Sequence, residues 1–392
     1  MMIDVDLHIH SKYSGGTSKD MNVENILKYS KVKGLDVVGT GDCLNPKYLE
    51  EIKEFKDREL VLTVEVEDKD RVHHLLIVPS ISKAEELRES FKKYSKNIDT
   101  EGRPKIELSG EEIFEIAKSS GSLIGPAHAF TPWTSIYKSF NSIYECYKNK
   151  PDFVELGLSA DTEMADSIRE LRDIPFLTNS DAHSYYPHRL GREFNRVEMT
   201  VGNIEENFEE LRKAIKHNKI YANIGVFPEL GKYHLTACSK CYTKFKKEDA
   251  ERFNWRCPEC KGLIKKGVLD RVKELSDGKI EHPSFRPPYI KIIPLLEIIS
   301  LSTGKGVYSK TVNTIWNKFI ENFKNEISIL LDIEIEELKN INERVAKTIE
   351  LFRKGEIYII PGGGGKYGEI SFTPKEINYY KEKVTLDRWL SC

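Results

Sequence analysis

The chain has 392 residues, 39% hydrophobic and 31% charged, with a formal net charge of −2. That length holds two or three domains and at least one large core. The composition excludes a disordered chain and a molecule that is polycationic overall, so any nucleic-acid surface must be local. Without an apolar stretch long enough to span a bilayer, or a basic-then-apolar leader, the expectation is a cytoplasmic protein with no membrane partner.

In chain order, residues 1–225 alternate short β-branched runs with amphipathic stretches. VDLHI, DVVGT, LVLTVEV, HLLIVP, SLIGPAH, FVELGL and PFLTNSDAH read as strands. NVENILKYSKVKG, SGEEIFEIAKSSG and TEMADSIRELRD read as helices, each opened by Ser, Thr or Asn and two closed by Gly. Such alternation predicts a βα architecture, in the form of a barrel. A connector at 226–236 leads to a compact cysteine segment at 237–262. The stretch 282–294, with Pro283, Pro287, Pro288 and Pro294, reads as a linker. Residues 309–354 are mainly helical and end at Gly355, and PGGGGKYGEISF at 361–372 is a glycine-rich turn into a short strand. The expected domains are therefore 1–228, 229–281 and 282–392.

His8 and His10 lie at i and i+2 on the first strand and so point to one face. Alone they are a weak signal. Similar residues end later strands: Asp42 closes VVGTGD, Glu65 closes LVLTVE, His74 lies in RVHHLLIV, His128 ends LIGPAH, and Asp181 and His183 end FLTNSDAH. In βα barrels that end carries the chemistry. Mixed imidazole and carboxylate donors suit Zn²⁺, Mn²⁺ or Fe²⁺. Cys238 and Cys241, then Cys257 and Cys260, form a Cys-x2-Cys-x15-Cys-x2-Cys pattern. This is a zinc-ribbon signal, and four thiolates close the tetrahedron, so this Zn²⁺ is structural. Residues 232–273 carry twelve Lys and Arg against five Asp and Glu, interleaved with Phe245, Phe253 and Trp255. Basic groups among aromatics suit a phosphate backbone and an unstacked base, the bland alternative being a small ribbon core with a solvated face. Val312, Ile315, Trp316, Phe319 and Phe323 form a helical stripe that reads as core. STGKG, with Lys305, precedes that helix and could place a phosphate at its N-terminus. The run at 362–365 permits close backbone approach to a ligand or is a loose turn.

DLHIHS, the strand-end Glu65, GPAH and NSDAH resemble, as an ordered set over residues 1–225, the PHP (polymerase and histidinol phosphatase) family. The resemblance implies a distorted (β/α)7 barrel with two or three clustered divalent cations, Zn²⁺, Mn²⁺ or Mg²⁺. It implies ligands at His8, His10, Glu65, His74, His128, Asp181 and His183, with Glu65 bridging and Asp181, His183 and Glu65 at the catalytic centre. His74 is preferred to His73 because the family ligand stands just before the apolar run. The pattern departs at Gly41-Asp42-Cys43 and at Ser14-Gly15-Gly16, where the family carries further histidines; Asp42 is the candidate for a third cation position, and Cys43 a weaker one. Glu155 is either a ligand or a structural carboxylate.

The whole layout, barrel, four-cysteine ribbon, then helices ending in IIPGGGGKYGEISF, resembles the endonuclease Q family of DNA-repair enzymes. That resemblance implies nicking of double-stranded DNA on the 5′ side of uracil, hypoxanthine, xanthine and abasic sites. Arg189 and Arg192 are candidates to hold the scissile phosphate, and Tyr185, with Tyr186 and His188, to meet a flipped nucleotide. Two other readings stand beside it: a small-molecule phosphoesterase of histidinol-phosphatase type, and a non-catalytic DNA-binding or polymerase-associated module. A sliding clamp is a further partner class open to a repair nuclease, although no clamp-binding peptide stands out near the C-terminus.

Overall fold

The computed structural model describes residues 1–380. Strands β1 (Met2–Asp6), β2 (Val37–Gly39), β3 (Leu60–Glu67), β4 (His73–Val78), β5 (Leu123–Pro126), β6 (Val154–Glu155) and β7 (Phe176–Leu177) answer the seven expected strands. Then follow β8 (Phe194–Glu198), β9 (Ile220–Gly225), β10 (Ala237–Cys238), β11 (Ile264–Lys265), β12 (Tyr289–Lys291), β13 (Tyr358–Ile360) and β14 (Glu369–Ser371). One curled sheet runs in the order β12-β9-β8-β1-β2-β3-β4-β5, and β6 pairs with β7 separately.

Main-chain bonds close β1 to β7 into a ring. Asp152 N donates to Ile124 O and Ala129 N to Glu155 O, each at 2.9 Å, linking β5 to β6. Ile9, just beyond β1, bridges in parallel to Ala182, just beyond β7. The barrel is distorted because β4 runs antiparallel to both β3 and β5. Alternate residues of these strands, among them Val5, Leu7, Val37, Val61, Leu75 and Leu177, join Phe208, Leu211 and Ile215 of helix Ile204–Lys216 in one apolar core. Each such buried side chain contributes about 1.5–3 kcal/mol by leaving water.

The helices begin where the capping residues predict. Asn22 caps Val23–Lys33, which ends at Gly34 with φ 104°, and Ser109 with Glu112 forms a capping box on Gly110–Ser119. The third expected helix is shorter, Thr162–Asp166, because Ile168 turns extended at φ −100°, ψ 111°.

The chain forms two compact units whose limits differ from the expected domains. The first is residues 1–227 with 275–356; the second is 228–274 with the described residues from 357 onward. The proline-rich stretch is no free linker. Its Tyr289–Lys291 adds to the barrel sheet in parallel beside β9, and Arg286, 1% exposed, pairs with buried Asp166. Proline at the head of an edge strand forfeits no ladder bond, which reconciles the composition with the strand. Helices Leu295–Thr303, Lys310–Phe323, Glu326–Leu331 and Ile335–Lys354 complete the first unit. Lys33 Nζ meets Glu326 Oε1 at 2.6 Å, both side chains at 1% exposure or less, tying helix Val23–Lys33 to the C-terminal helices.

In the second unit, β10 and β11 pair antiparallel, and β13 pairs antiparallel with β14. Phe245 is buried, and Phe253 and Trp255 pack against the same small core, so these aromatics hold the ribbon together. The glycine run approaches the chain's own backbone. A Cβ at Gly362 would stand 2.4 Å from Gly231 O, and one at Gly364, with φ 66°, 2.3 Å from Cys238 O. STGKG likewise changes role: Gly304, at φ 67°, ends helix Leu295–Thr303, and Ser309 caps the next one. Exposed Lys305 therefore stands between the C-terminus of one helix and the capped N-terminus of the next. No helix among the described residues is long and apolar enough to cross a membrane. Residues 381–392, the C-terminal stretch in which a clamp-binding peptide would fall, lie outside the described residues.

Candidate metal centre

Seven side chains gather where the ring strands end. His8 and His10 project together from the extension of β1, whose path is fixed by the bond from His10 N to Ala182 O at 2.9 Å. That same contact brings in Asp181 and His183. Asp181 Oδ1 lies 3.7 Å from His8 Nε2, 3.2 Å from His10 Nε2 and 3.5 Å from His183 Nε2. On the other side, Glu65 Oε1 stands 2.8 Å from both His73 Nδ1 and His128 Nε2. Glu65 lies between the two groups: Oε1 is 3.6 Å from His8 Nε2, and Oε2 is 3.4 Å from His10 Nε2.

His73, not His74, faces this cluster. In the β3–β4 ladder Glu67 pairs with His73 and Glu65 with Leu75, so Glu65, Glu67 and His73 share a face and His74 takes the other. His74 is buried there, with Tyr147 Oη at 2.7 Å and Asp68 Oδ2 at 3.0 Å. Asp42 is also displaced from the role expected of it. Its Oδ1 lies 3.3 Å from His10 Nδ1, while Oδ2 accepts from Ser11 N, Ser11 Oγ and Ser14 Oγ at 2.7, 2.6 and 2.9 Å. Both oxygens are thus engaged on the outer side of His10. Cys43 is fully buried in the apolar core.

Every inward imidazole has its outer nitrogen held by an oxygen. His8 Nδ1 lies 2.9 Å from Glu155 Oε2, His183 Nδ1 2.8 Å from Thr17 Oγ1, His128 Nδ1 3.0 Å from Thr131 Oγ1, and His73 Nε2 3.1 Å from Glu67 Oε2. His10 uses Asp42 in the same way. An outer N–H donated to oxygen leaves a lone pair on the inner nitrogen, the arrangement a metal-ligating histidine needs. Glu155 is therefore an orienting carboxylate; it also accepts from His128 N at 2.7 Å and Asn179 Nδ2 at 2.7 Å.

Two observations fit this cavity to divalent cations. The Nε2 atoms of His8 and His10 are buried without a hydrogen-bond partner, and buried polar atoms seldom stay unpaired. The site also draws positive charge. Burial opposes a charged ring, yet Glu155 and Glu65 push His8 up to about 10, and Asp181 and Asp42 push His10 up to about 9. Burial would raise Glu65 and Asp181, but the surrounding imidazoles hold both carboxyls well below their ordinary values. Asp42, His128 and Asp181 adopt positive φ angles of 47°, 32° and 47°. Strain of this kind persists where surrounding contacts over-determine the backbone, as they do at functional sites.

Cations flank the donors as well. Arg103 Nη1 reaches Glu65 Oε2 at 3.1 Å, and no sequence signal marked that residue. Arg192 donates from Nε to Ser180 O at 2.9 Å and lies within the field of Asp181. Arg189 adds charge to the same loop and, beside His188, helps burial hold that imidazole down at about 4. Tyr185 packs on Tyr29, rings 4.6 Å apart, and His188 Nε2 lies 3.1 Å from Tyr308 Oη.

In the second unit Cys238, Cys241, Cys257 and Cys260 converge. Cys238 and Cys260 sulfurs are 3.4 Å apart, Cys241 and Cys257 sulfurs 3.7 Å. Thiolates on a tetrahedral Zn²⁺ at about 2.3 Å stand about 3.8 Å from each other, close to both. Gly262 makes room, since a Cβ there would lie 2.8 Å from Cys238 Sγ.

Fold and donors together define a mixed α/β barrel protein of metal-binding type, joined to a four-cysteine ribbon and C-terminal helices. Comparison with known proteins narrows this. Residues 294–356 match the family described as the MJ0043 C-terminal domain. MJ0043 of Methanocaldococcus jannaschii is 34% identical over an alignment of 783 residues covering all of both proteins. The crystal structure of the lesion-specific endonuclease PfuEndoQ from Pyrococcus furiosus has a TM-score of 0.90 at 50% identity, covering 100% of this chain and 99% of that one. Endonuclease Q in complex with a 27-mer duplex substrate, an abasic lesion at its active site, has a TM-score of 0.89 at 51% identity, covering 95% and 97%. The chain belongs to the endonuclease Q family.

Proposed function

We propose that this protein is a lesion-specific, metal-dependent DNA-repair endonuclease, acting at the donor cluster centred on Glu65. The observation that carries the reading is the pair of buried, unpartnered Nε2 atoms of His8 and His10 facing Glu65 and Asp181, in a chain 51% identical to one solved with an abasic duplex. His8, His10, Asp181 and His183 would hold one cation, and Glu65, His73 and His128 a second. Divalent cations held there would lower the pKa of a water and offset charge on the phosphoryl oxygens.

The rest is the work of the chain. Glu155, Asp42, Thr17, Thr131 and Glu67 fix the imidazoles so that their lone pairs converge. Arg103 and Arg192 bring fixed positive charge to the edge of the cluster, where a phosphodiester enters. The second unit, with its excess of Lys and Arg, grips the backbone without reading sequence. The lesions are uracil, hypoxanthine, xanthine and abasic sites, cut on the 5′ side. Extruding a base costs a few kcal/mol, least for a mismatched or damaged one, so the lesion favours its own exposure. The reading needs no sliding clamp.

The test is an end-labelled duplex with one deoxyuridine or abasic site, incubated with the protein and Mg²⁺, Mn²⁺ or Zn²⁺. A single nick 5′ to the lesion is expected, and Asp181→Asn should lose at least about 100-fold in rate, beyond the 10–100-fold typical of outer-partner changes. Phosphate release from small monoesters without a nick, or full nicking by Asp181→Asn, overturns the reading.

A further inference from the structure

The loop from His128 to Ser135 is bound to the metal centre at both ends. At one end, Thr131 Oγ1 lies 3.0 Å from His128 Nδ1 and donates to Trp133 O at 2.8 Å. At the other, His73 N donates to Thr134 O at 2.9 Å. Pro132 stiffens the middle. Thr134 adopts φ 54°, a conformation that β-branched residues rarely accept. Within this lashed and strained segment, Phe130 turns into the core at 4% exposure, while Trp133 stands outward at 53%.

The loop's position is defined by the row of imidazoles. Ring centroids run from His183 to His10 at 4.4 Å, to His8 at 5.2 Å, to His128 at 5.9 Å and to His73 at 5.2 Å. The loop that carries Trp133 joins the His128–His73 end through Thr131 and Thr134, and the tyrosines of the 185–188 loop follow His183 in the chain. Every nucleobase offers a π-face, so an exposed indole on a loop anchored to that end of the cluster is suited to stacking on an unpaired base.

We propose that Trp133 is a specificity residue: its indole stacks on the extruded base of the lesion and holds that nucleotide against the metal centre. This rests on the endonuclease reading above. It makes the enzyme's response depend on whether the lesion still has a base. A deaminated nucleotide has a ring to stack; an abasic one has none.

The test uses the full chain with Mn²⁺ and two duplexes identical but for deoxyuridine or an abasic site at one position. Single-turnover nicking is measured for the wild type, Trp133→Leu and Trp133→Phe. The ratio of deoxyuridine to abasic rates should fall ~5- to 150-fold in Trp133→Leu, the range spanned by stacking one base on an aromatic ring. Trp133→Phe should restore most of it. An unchanged ratio, equal losses on both duplexes, or no rescue by Phe overturns the proposal, as does a wild type that takes the abasic duplex alone. A wild type that nicks neither duplex overturns the endonuclease reading itself, so the two failures are distinguishable.

Discussion

His73 and His74 are adjacent, both buried and both hydrogen-bonded to a carboxylate, yet only His73 shares a face with Glu65. Their separation by one position on a strand puts them on opposite faces. His74 sits in a closed set with Asp68, Cys146 and Tyr147, and Gly110 packs so tightly on it that an added Cβ would stand 2.2 Å from Cys146 Sγ. Substituting the two histidines should therefore separate the functions. His73→Ala should lower the cation content of the barrel and cut lesion nicking by at least about 100-fold, the loss of an inner donor exceeding that of an outer one. His74→Ala should destabilise the fold by about 1–3 kcal/mol, through its unpaired neighbours, while keeping the cations. Metal analysis beside thermal unfolding checks both; cation loss in His74→Ala with none in His73→Ala would reverse the assignment.

At the scale of elements, the ring strands and the capped helices were legible because period-two runs and Asn or Ser caps are local signals. His8, His10, Glu65, His128, Asp181 and His183 were legible as strand-end donors for the same reason. The face of His73 was not, because it depends on antiparallel pairing across the β3–β4 turn, and the bare order of residues suggested His74. Arg103 and Thr131 act through contacts 38 and 3 residues away with no motif of their own. The packing of the proline-rich stretch is not legible in the same way: composition marks a break in regular structure without saying what the break packs against. The Lys33–Glu326 pair is likewise invisible in sequence, its members 293 residues apart. Glu326 also accepts from Leu295 N and Trp316 Nε1, each at 3.0 Å. Glu326→Ala leaves the Lys33 ammonium buried without a countercharge and should cost about 3–5 kcal/mol in denaturant unfolding. A loss below about 1 kcal/mol would show that the C-terminal helices do not rely on this pair.

At the scale of the molecule, a chain near neutrality divides its labour between two compact units. The larger collects buried imidazoles and carboxylates at the mouth of a distorted barrel and braces them with the C-terminal helices. The smaller depends on four cysteine sulfurs and a glycine run that lets backbone pass backbone. The central claim is that Glu65 lies between two cation positions, one lined by His8, His10, Asp181 and His183 and the other by His73 and His128. Anomalous diffraction at the manganese edge, from crystals of the full chain grown with Mn²⁺, tests it most directly. Two peaks should flank the Glu65 carboxylate, each within bonding distance of its imidazole nitrogens. Density with no peak beside Glu65, or with a peak on His74 instead, would contradict the account.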